Sequence, residues 1–483
     1  MSDAMVYTSL PLIVLAVTSL LVMVGIAIKR NHRATATISF AGFAVSFICI
    51  WPAYSAAPVQ ITSLLTVDRF ALVYMGLLLA ASAAVVLLSF PYLNGRSEHK
   101  EEFYLLLILA TVGSMVLAAS RHTASLFLGL ELLSISLYAL ISYPRTEALS
   151  LEAGVKYLVL AASSSAFLLF GLALLYVAGG SMELNRTIAL VDSSGSVTYL
   201  AGTVLVLTGI GFKLAVVPFH LWTPDVYQGA PLPATAFVAT VSKGGVFAFL
   251  LRWLHSEGGT WRPVFVVLAI VAIASMLVGN LLALRQTNIK RLLAYSSIAH
   301  MGYFLVAVIA AGDLGAAAAT YYLAAYIVTI LGAFGCLLAL SDSARDTETF
   351  DDLLGLFWRR PVLASVFSAM ILSLAGIPLT AGFLGKFYVF AAGVSATACS
   401  LIIILIVSST IGLAYYLQIL VAMFGGADRA HAHTGERPVG IGPVTALIVL
   451  TVTLFILGVY PGPLWNAITA PAAAGSGAVL GQR

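Results

Sequence analysis

Residues 197–225 read VTYLAGTVLVLTGIGFKLAVVPFHLWTPD, an apolar run that contains Lys213 and Pro218. A helix of about 20 residues crosses the hydrocarbon core of a bilayer, so this run is too long for one regular crossing. A proline inside a helix removes a backbone hydrogen bond and clashes with the preceding turn. The stretch therefore predicts a membrane-spanning helix that is broken near Pro218.

The rest of the chain is equally apolar. Of the 483 residues, 61% are hydrophobic and 9% are charged, and the mean hydropathy is +1.03. A soluble domain carries about 25% charged residues, so an all-α integral membrane protein in a lipid bilayer is predicted. The short mixed stretch 61–70 is expected to be an interfacial helix. We predict about 14 spans, near 7–28, 35–54, 71–94, 102–120, 123–143, 151–178, 197–225, 233–254, 262–284, 290–311, 315–340, 361–392, 396–424 and 441–460.

A second long apolar run, 361–392, has Gly376, Pro378 and Gly382 near its middle and is also expected to be broken. Matching breaks, here in the seventh and twelfth spans, are typical of transporters built from repeats. We therefore predict two inverted five-helix repeats, 101–256 and 257–425. Three N-terminal spans (1–100) precede them, and a last span with a C-terminal tail (426–483) follows.

The charges of the loops predict the orientation. Most Lys and Arg residues outside the spans fall in the odd-numbered loops, which the positive-inside rule places in the cytoplasm. Both termini are then expected in the periplasm. These odd-loop residues are Lys29, Arg30, Arg33, Arg96, Lys100, Arg145, Arg285, Lys290, Arg291, Arg345, Arg359, Arg360, Arg429 and Arg437.

Motifs for cofactors or nucleic acid are absent from the sequence. Cys49, Cys336 and Cys399 lie far apart in apolar runs, with no CxxC pair and no phosphate-binding glycine loop. The basic residues are scattered between apolar runs, which is not a nucleic-acid pattern. His431 and His433 form a weak metal signal, and a solvated loop is the better interpretation. We expect no metal, cofactor or nucleic acid in this chain.

Apart from charges at the ends of the predicted spans, five charged residues lie inside them: Glu131, Lys156, Lys213, Lys243 and Lys386. Each costs about 2.5–3.5 kcal/mol to insert at a helix centre, so such residues usually face a polar interior and serve a function. The pKa of a lysine falls on burial and rises beside a carboxylate, which suits proton transfer. This set predicts a path for protons.

Simpler interpretations stay open for several of these side chains. Lys156 lies near the end of its span and could reach the interface. Lys213 and Lys386 stand beside the breaks, where they could bind freed carbonyl groups. His300, in the tenth span, fits a proton relay or a hydrogen-bonded core residue equally well. His220 follows Pro218 and is predicted at the inner mouth of the first break.

Three long stretches resemble one known family. They are 211–233 (GFKLAVVPFHLWTPDVYQGAPLP), 288–303 (NIKRLLAYSSIAHMGY) and 373–388 (SLAGIPLTAGFLGKFY). They resemble the antiporter-like subunits of proton-pumping NADH:quinone oxidoreductase, respiratory complex I, and the likeness covers nearly the whole chain. Three features are most similar to the subunit N branch. They are the motif WTPDVYQG, Lys386 where subunit M has a glutamate, and the short tail after the last span.

The resemblance implies one proton channel, from cytoplasm to periplasm, driven by quinone reduction elsewhere in the complex. By this likeness Glu131 pairs with Lys213, Lys243 is the central carrier, Lys386 is the outward carrier and Lys156 assists. It also implies a non-redox subunit of the bacterial inner membrane. Its partners would be other membrane-arm subunits, including another antiporter-like subunit and small helical ones. NADH, FMN, iron–sulfur clusters and quinone would be bound by partner subunits.

Two alternatives remain at this point. A subunit of a multi-subunit Na⁺/H⁺ antiporter or of a membrane-bound hydrogenase would share the lysine chain, although sodium favours more oxygen ligands than Glu131 supplies. A structural scaffold with an inactive channel would need the charges for assembly only.

Overall fold

The computed structural model describes residues 3–96, 99–184, 197–255, 262–310, 312–342, 345–425 and 440–469, and His431 and His433 lie outside these ranges. The N-terminal region contains α1 (Asp3–Ile28), α2 (His32–Ile48), α3 (Ile50–Ala56), β1 (Val59–Gln60), β2 (Thr66–Val67) and α4 (Arg69–Leu93). Next come α5 (Glu101–Ala119), α6 (Thr123–Ile141), α7 (Ala148–Gly179), α8 (Val197–Leu214) and α9 (Trp222–Gly229).

The eighth span combines α10 (Leu232–Phe237), a π-helical turn (Val238–Ser242) and α11 (Lys243–His255). The second half of the chain then contains α12 (Arg262–Ala283), α13 (Ile289–Ile309), α14 (Gly312–Leu340), α15 (Phe350–Leu353), α16 (Leu356–Arg359), α17 (Pro361–Ala375), α18 (Ala381–Ser395), α19 (Cys399–Phe424) and α20 (Ile441–Val459). A helical segment over 462–469 follows.

Within the described ranges, 13 helical segments are long and apolar enough to cross a membrane. The predicted twelfth span consists of two shorter apolar helices, α17 and α18. Together they account for all of the predicted spans. Helices dominate because a bilayer offers no water to the backbone, so each N–H and C=O group needs a partner within its own segment.

The interfacial helix expected over 61–70 is wrong. Val59 and Gln60 instead pair with Val67 and Thr66 in a small antiparallel hairpin. The Thr62 hydroxyl accepts hydrogen bonds from two backbone N–H groups of the turn, which competes with helix formation. The next helix, α4, begins only at Arg69, because backbone groups before it already form hydrogen bonds within the hairpin and to the Thr62 hydroxyl.

The buried centre of the molecule contains the eighth span, α13 and α14. Residues 232–251 of the eighth span are all buried inside this chain, and most of α13 and α14 is buried as well. The outer helices α1, α7 and α20 expose much of their apolar surface, as helices facing lipid or a partner do. Lys243, at the start of α11, therefore lies far from both.

Both predicted helix breaks are confirmed. Pro218 lies between α8 and α9, and Pro378 lies between α17 and α18. At the first break the Trp222 indole N–H donates to the Phe212 carbonyl at 3.0 Å, which supplies a partner that the broken helix no longer provides. The inverted relation of the two five-helix units and their boundaries stay predictions.

A buried ion cluster ties the odd-numbered loops together. Asp346 forms ion pairs with Arg96 and with Lys290, whose ammonium lies 3.1 Å away. The Tyr92 hydroxyl donates to the same carboxylate at 3.0 Å. Burial alone raises the pKa of this carboxyl, but Lys290 and Arg96 outweigh that effect and hold the pKa of Asp346 below its ordinary value.

We expect Asp346→Asn to lower the free energy of unfolding at pH 7 by on the order of 2 kcal/mol, because Arg96 and Lys290 lose a buried counter-charge. The folded pKa of Asp346 is depressed, so its stabilisation is complete above the ordinary aspartate pKa of about 3.9 and is lost as the pH falls through the folded value. Thermal unfolding in detergent compares the stability of the purified wild-type protein with that of the variant at each pH. A gap that stays constant down to pH 3 would contradict this cluster as the source.

Candidate functional site

Lys243 lies at the start of α11 and is fully buried. Its ammonium donates to the Ser297 hydroxyl on α13 at 2.6 Å. The same hydroxyl lies 2.6 Å from the Tyr326 hydroxyl and receives a longer bond of 3.4 Å from Tyr227. Ser297 is therefore the shared point through which the Lys243 ammonium meets two tyrosine hydroxyls.

A π-helical turn, Val238–Ser242, stands directly before Lys243. Such turns insert a residue into a helix and are frequent at functional sites, because they re-aim the side chains around them. The stretch VATVS contains no proline or glycine, so nothing in the sequence signalled the turn. The turn determines the direction in which the Lys243 side chain projects from the eighth span.

Lys213 occupies the last turn of α8, just before the first break, and only 3% of it is exposed. Its ammonium donates to the Ser134 hydroxyl on α6 at 2.7 Å and to the Tyr157 hydroxyl on α7 at 3.3 Å. The helix break thus brings α8 to an end where a lysine can reach two neighbouring helices.

Glu131 does not form a direct ion pair with Lys213. Its carboxylate accepts a hydrogen bond from Ser165 on α7 at 2.7 Å. Ser134, which accepts from Lys213, stands one helical turn further along α6. The carboxylate and the ammonium therefore occupy the same side of α6, with the Ser134 hydroxyl between them.

The Lys386 side chain, on α18, binds the C-terminal end of α17 across the second break. Its ammonium donates to the carbonyls of Leu374 and Ala375 and to the Ser409 hydroxyl, each at 2.9 Å. The two carbonyls belong to the last turn of α17, where a cation is favourable. Gly376 has φ +88, and a Cβ there would lie 3.0 Å from the Lys386 side chain. The break and the lysine fit only with glycine at that position.

His300 lies between the Lys243 and Lys386 groups. Its Nδ1 is 2.7 Å from the Tyr322 hydroxyl, and its Nε2 is 3.1 Å from the Tyr416 hydroxyl. The ring centroids of His300 and Tyr326 are 5.3 Å apart, so the ring also meets the Lys243 group. His300 is therefore a hydrogen-bonded core residue, and its role as a proton relay stays a prediction.

One helix, α13, carries several of these groups. Ser297 and His300 are followed by Tyr303, and the Lys386 ammonium lies 5.4 Å from the centroid of the Tyr303 ring. Asn280 on α12 donates to the Tyr303 hydroxyl at 2.9 Å and holds that ring in place. The Lys243 and Lys386 sites are thus joined by consecutive turns of a single buried helix.

Lys156 stands apart from the buried lysines. Its side chain is 44% exposed and forms ion pairs with Glu152 at 2.7 Å and with Asp225 at 2.8 Å. Lys156 is thus on the surface of the chain, and its position relative to the membrane interface stays a prediction. His220 is buried in the loop of the first break, but none of the hydrogen bonds of the three buried lysines involves it.

The ammonium groups of Lys213, Lys243 and Lys386 share one property, which the buried Lys290 lacks. Among the described residues, none of them forms an ion pair with a carboxylate, and their partners are hydroxyl and carbonyl oxygens. An isolated buried charge is costly unless it is hydrogen-bonded. The sequence identified the lysines but missed these neutral partners, because serine and tyrosine in an apolar helix give no distinctive pattern.

Residues 120–412 match the family described as NADH:quinone oxidoreductase/Mrp antiporter, TM. A curated relative from Ectopseudomonas mendocina (strain ymp), NADH-quinone oxidoreductase subunit N, is 48% identical over 474 residues, which cover 95% of each chain. A chain of respiratory complex I from Thermus thermophilus with bound aureothin is 33% identical, with a TM-score of 0.82 over 95% of this chain and 99% of that one.

More distant structures share the fold. A chain of the membrane-bound sulfane sulfur reductase, an archaeal respiratory membrane complex, is 22% identical with a TM-score of 0.86, covering 96% of this chain and 97% of that one. A chain of the Mrp complex from Dietzia sp. is 20% identical with a TM-score of 0.84, covering 98% and 97%. The match to subunit N is much stronger in sequence and spans nearly the whole chain. The chain therefore belongs to the subunit N family of NADH-quinone oxidoreductases, within the broader family of NADH:quinone oxidoreductase and Mrp antiporter membrane subunits.

Proposed function

We propose that this chain is a proton-translocating subunit in the membrane arm of NADH:quinone oxidoreductase. The observation that carries the proposal is a row of three lysines, the buried Lys213 and Lys243 and the partly buried Lys386, whose partners are hydroxyls and carbonyls rather than carboxylates. A lysine locked to a carboxylate stays charged, whereas a lysine among neutral groups can gain and release a proton. The family membership supports the same function.

The path begins at Lys213 on the cytoplasmic side and continues to Lys243. It then passes the Ser297 hydroxyl and His300 to Lys386, from which protons leave toward the periplasm. Hydroxyl and imidazole groups both donate and accept hydrogen bonds, so they can pass a proton on. Water carries the proton where two groups lie beyond hydrogen-bond distance.

Glu131 sets the charge at the start of the path. A carboxylate near an ammonium favours its charged form, so moving Glu131 toward or away from Lys213 changes how firmly Lys213 holds its proton. Partner subunits impose that movement when quinone is reduced. These partners are other membrane-arm subunits, another antiporter-like subunit and small helical subunits. Other partner subunits of the complex bind the NADH, FMN, iron–sulfur clusters and quinone, and this chain performs no redox chemistry.

The chain lies in the bacterial inner membrane with both termini in the periplasm. The basic loops and the first turn of α13, which contains Lys290 and Arg291, then face the cytoplasm. The alternative of a sodium/proton antiporter is weaker, because Na⁺ binding needs several converging oxygen ligands and the path offers ammonium groups at its centre. The likeness to the Mrp complex extends to the fold alone.

We expect Lys243→Met to abolish proton pumping driven by NADH in membrane vesicles, because methionine fills the same space but carries no proton. A matched control is Met276→Leu, a fully buried apolar exchange on α12. Assembly is checked by the amount of intact complex in the membrane. Normal pumping by assembled Lys243→Met complex would overturn the path and favour a structural scaffold.

Ser297→Ala should lower pumping several-fold while the complex still assembles. Alanine removes the hydroxyl shared by Lys243 and Tyr326 and leaves little extra space. Ser39→Ala is the control, since the buried Ser39 hydroxyl bonds only to the Thr35 carbonyl of its own helix. The ratio of protons pumped to NADH oxidised reports the effect. Equal ratios in both variants would show that Ser297 is not on the path.

A further inference from the structure

Asp225, on α9, is shared between two cations from different helices. Its Oδ2 lies 2.8 Å from the Lys156 ammonium on α7, and its Oδ1 accepts from the Arg291 guanidinium on α13, also at 2.8 Å. Gln228 binds the same guanidinium at 3.1 Å. We call Lys156, Asp225 and Arg291 the Asp225 bridge. One carboxylate thus links two helices by using a different oxygen for each.

The short helix α9 is fixed on both of its sides. The Ser150 hydroxyl of α7 donates to the Gly229 carbonyl at 2.6 Å, and the Lys290 ammonium of α13 donates to the Ala230 carbonyl at 3.1 Å. A Cβ on Gly229 would lie 2.5 Å from the Leu149 carbonyl oxygen, so α9 and α7 touch along their backbones. Movement of either long helix must therefore move Asp225 or strain its ion pairs.

The two ends of the bridge lead to the buried lysines. Lys156 is followed directly by Tyr157, whose hydroxyl accepts from Lys213. Arg291 begins the helix that carries Ser297, which accepts from Lys243, and the two positions are about 9 Å apart along the axis. The bridge therefore joins the helix that positions a partner of Lys213 to the helix that positions the partner of Lys243.

The surroundings of Lys156 are opposite to those of the buried lysines. Its ammonium has two carboxylates within ion-pair distance, Glu152 and Asp225, and it is partly exposed. Lys213, Lys243 and Lys386 have neutral partners. An ammonium held by two carboxylates keeps its charge and serves as a fixed electrostatic contact.

We propose that Lys156 is a positioning residue with a permanent positive charge, which couples α7 to α13 through Asp225 and Arg291. The bridge holds Tyr157, a partner of Lys213, and Ser297, the partner of Lys243, in a fixed relative position. One movement therefore affects both lysines. Lys156 is therefore not a proton carrier, in contrast to the assisting role that the family resemblance implied. This inference rests on the proposed function of the buried lysines.

Replacement by arginine separates a fixed charge from a carrier. Arginine keeps the charge and the ion pairs but does not release its proton in proteins. In membrane vesicles containing the whole complex, Lys156→Arg should pump at close to the normal ratio of protons to NADH. Lys156→Met should lower that ratio several-fold. Lys243→Arg, which places arginine in the proposed path, should stop pumping.

Three outcomes decide the inference. If assembled Lys156→Arg complex pumps as poorly as Lys156→Met, then Lys156 exchanges a proton and the proposal is wrong. Normal pumping by Lys156→Met would show that the bridge is dispensable, which also overturns it. Normal pumping by Lys243→Arg contradicts the proton path itself rather than the bridge, so the two failures are distinguishable.

Asp225 provides an independent test. Asp225→Asn should lower the proton-to-NADH ratio by a similar factor, and Asp225→Glu should restore most of it. The double variant Lys156→Met/Asp225→Asn should lose no more than either single variant, because both remove the same link. Losses that multiply would show that the two residues act separately. Heat stability of the complex should change little, since partly exposed ion pairs contribute little to it.

Discussion

Within the bilayer, every backbone group freed from a helix must find a partner inside the protein, and the two broken helices are where this constraint is strictest. At the first break a neutral indole, that of Trp222, binds a freed carbonyl of α8. At the second break an ammonium, that of Lys386, binds two carbonyls of α17. Lys386 is titratable, so the hydrogen bonding at the end of α17 depends on the charge of this side chain.

The central helix α13 is anchored at its N-terminal end. Asn288 caps it, Lys290 binds Asp346 and the Ala230 carbonyl, and Arg291 binds Asp225. These polar contacts fix its register, because the buried apolar surface around it would tolerate sliding. Every group that α13 presents further along, from Ser297 to Tyr303, takes its position from that anchored end.

Much of this architecture was predictable from the sequence. Long apolar runs identify spans, and Pro218 and Pro378 identify the breaks, because a bilayer leaves few alternatives to a helix. The burial of Lys213 and Lys243 also followed from their places within spans, whereas Lys386 is only partly buried. The side on which a residue lies did not follow: Lys156 is on an outer face, where two carboxylates reach it. Hydropathy is nearly uniform around these helices, so it carries no signal for rotation.

The neutral hydrogen-bond partners of the lysines could not be predicted from the sequence for a related reason. Ser134, Tyr157 and Ser297 are ordinary residues of membrane helices, and only tertiary packing distinguishes them from hydroxyls that bond to their own backbone. The π-helical turn before Lys243 is likewise a product of packing, since Val238–Ser242 contains no residue that breaks a helix. Local sequence determines where a span exists, and contacts between spans determine what its side chains meet.

A row of ammonium groups with neutral partners has a consequence for control. Carboxylates beside Lys243 and Lys386 would hold them in one charge state, and the row would be an ion-pair network that supports the fold only. With hydroxyls and carbonyls as partners, the charge on each lysine depends on its neighbours in the row and on groups at its ends. Glu131 is such a group, half-buried on α6 and bound to Ser165 of α7. If the row is controlled through its ends, the α6 and α7 side of the molecule is the expected place, because Glu131 lies there and α7 exposes much of its apolar surface.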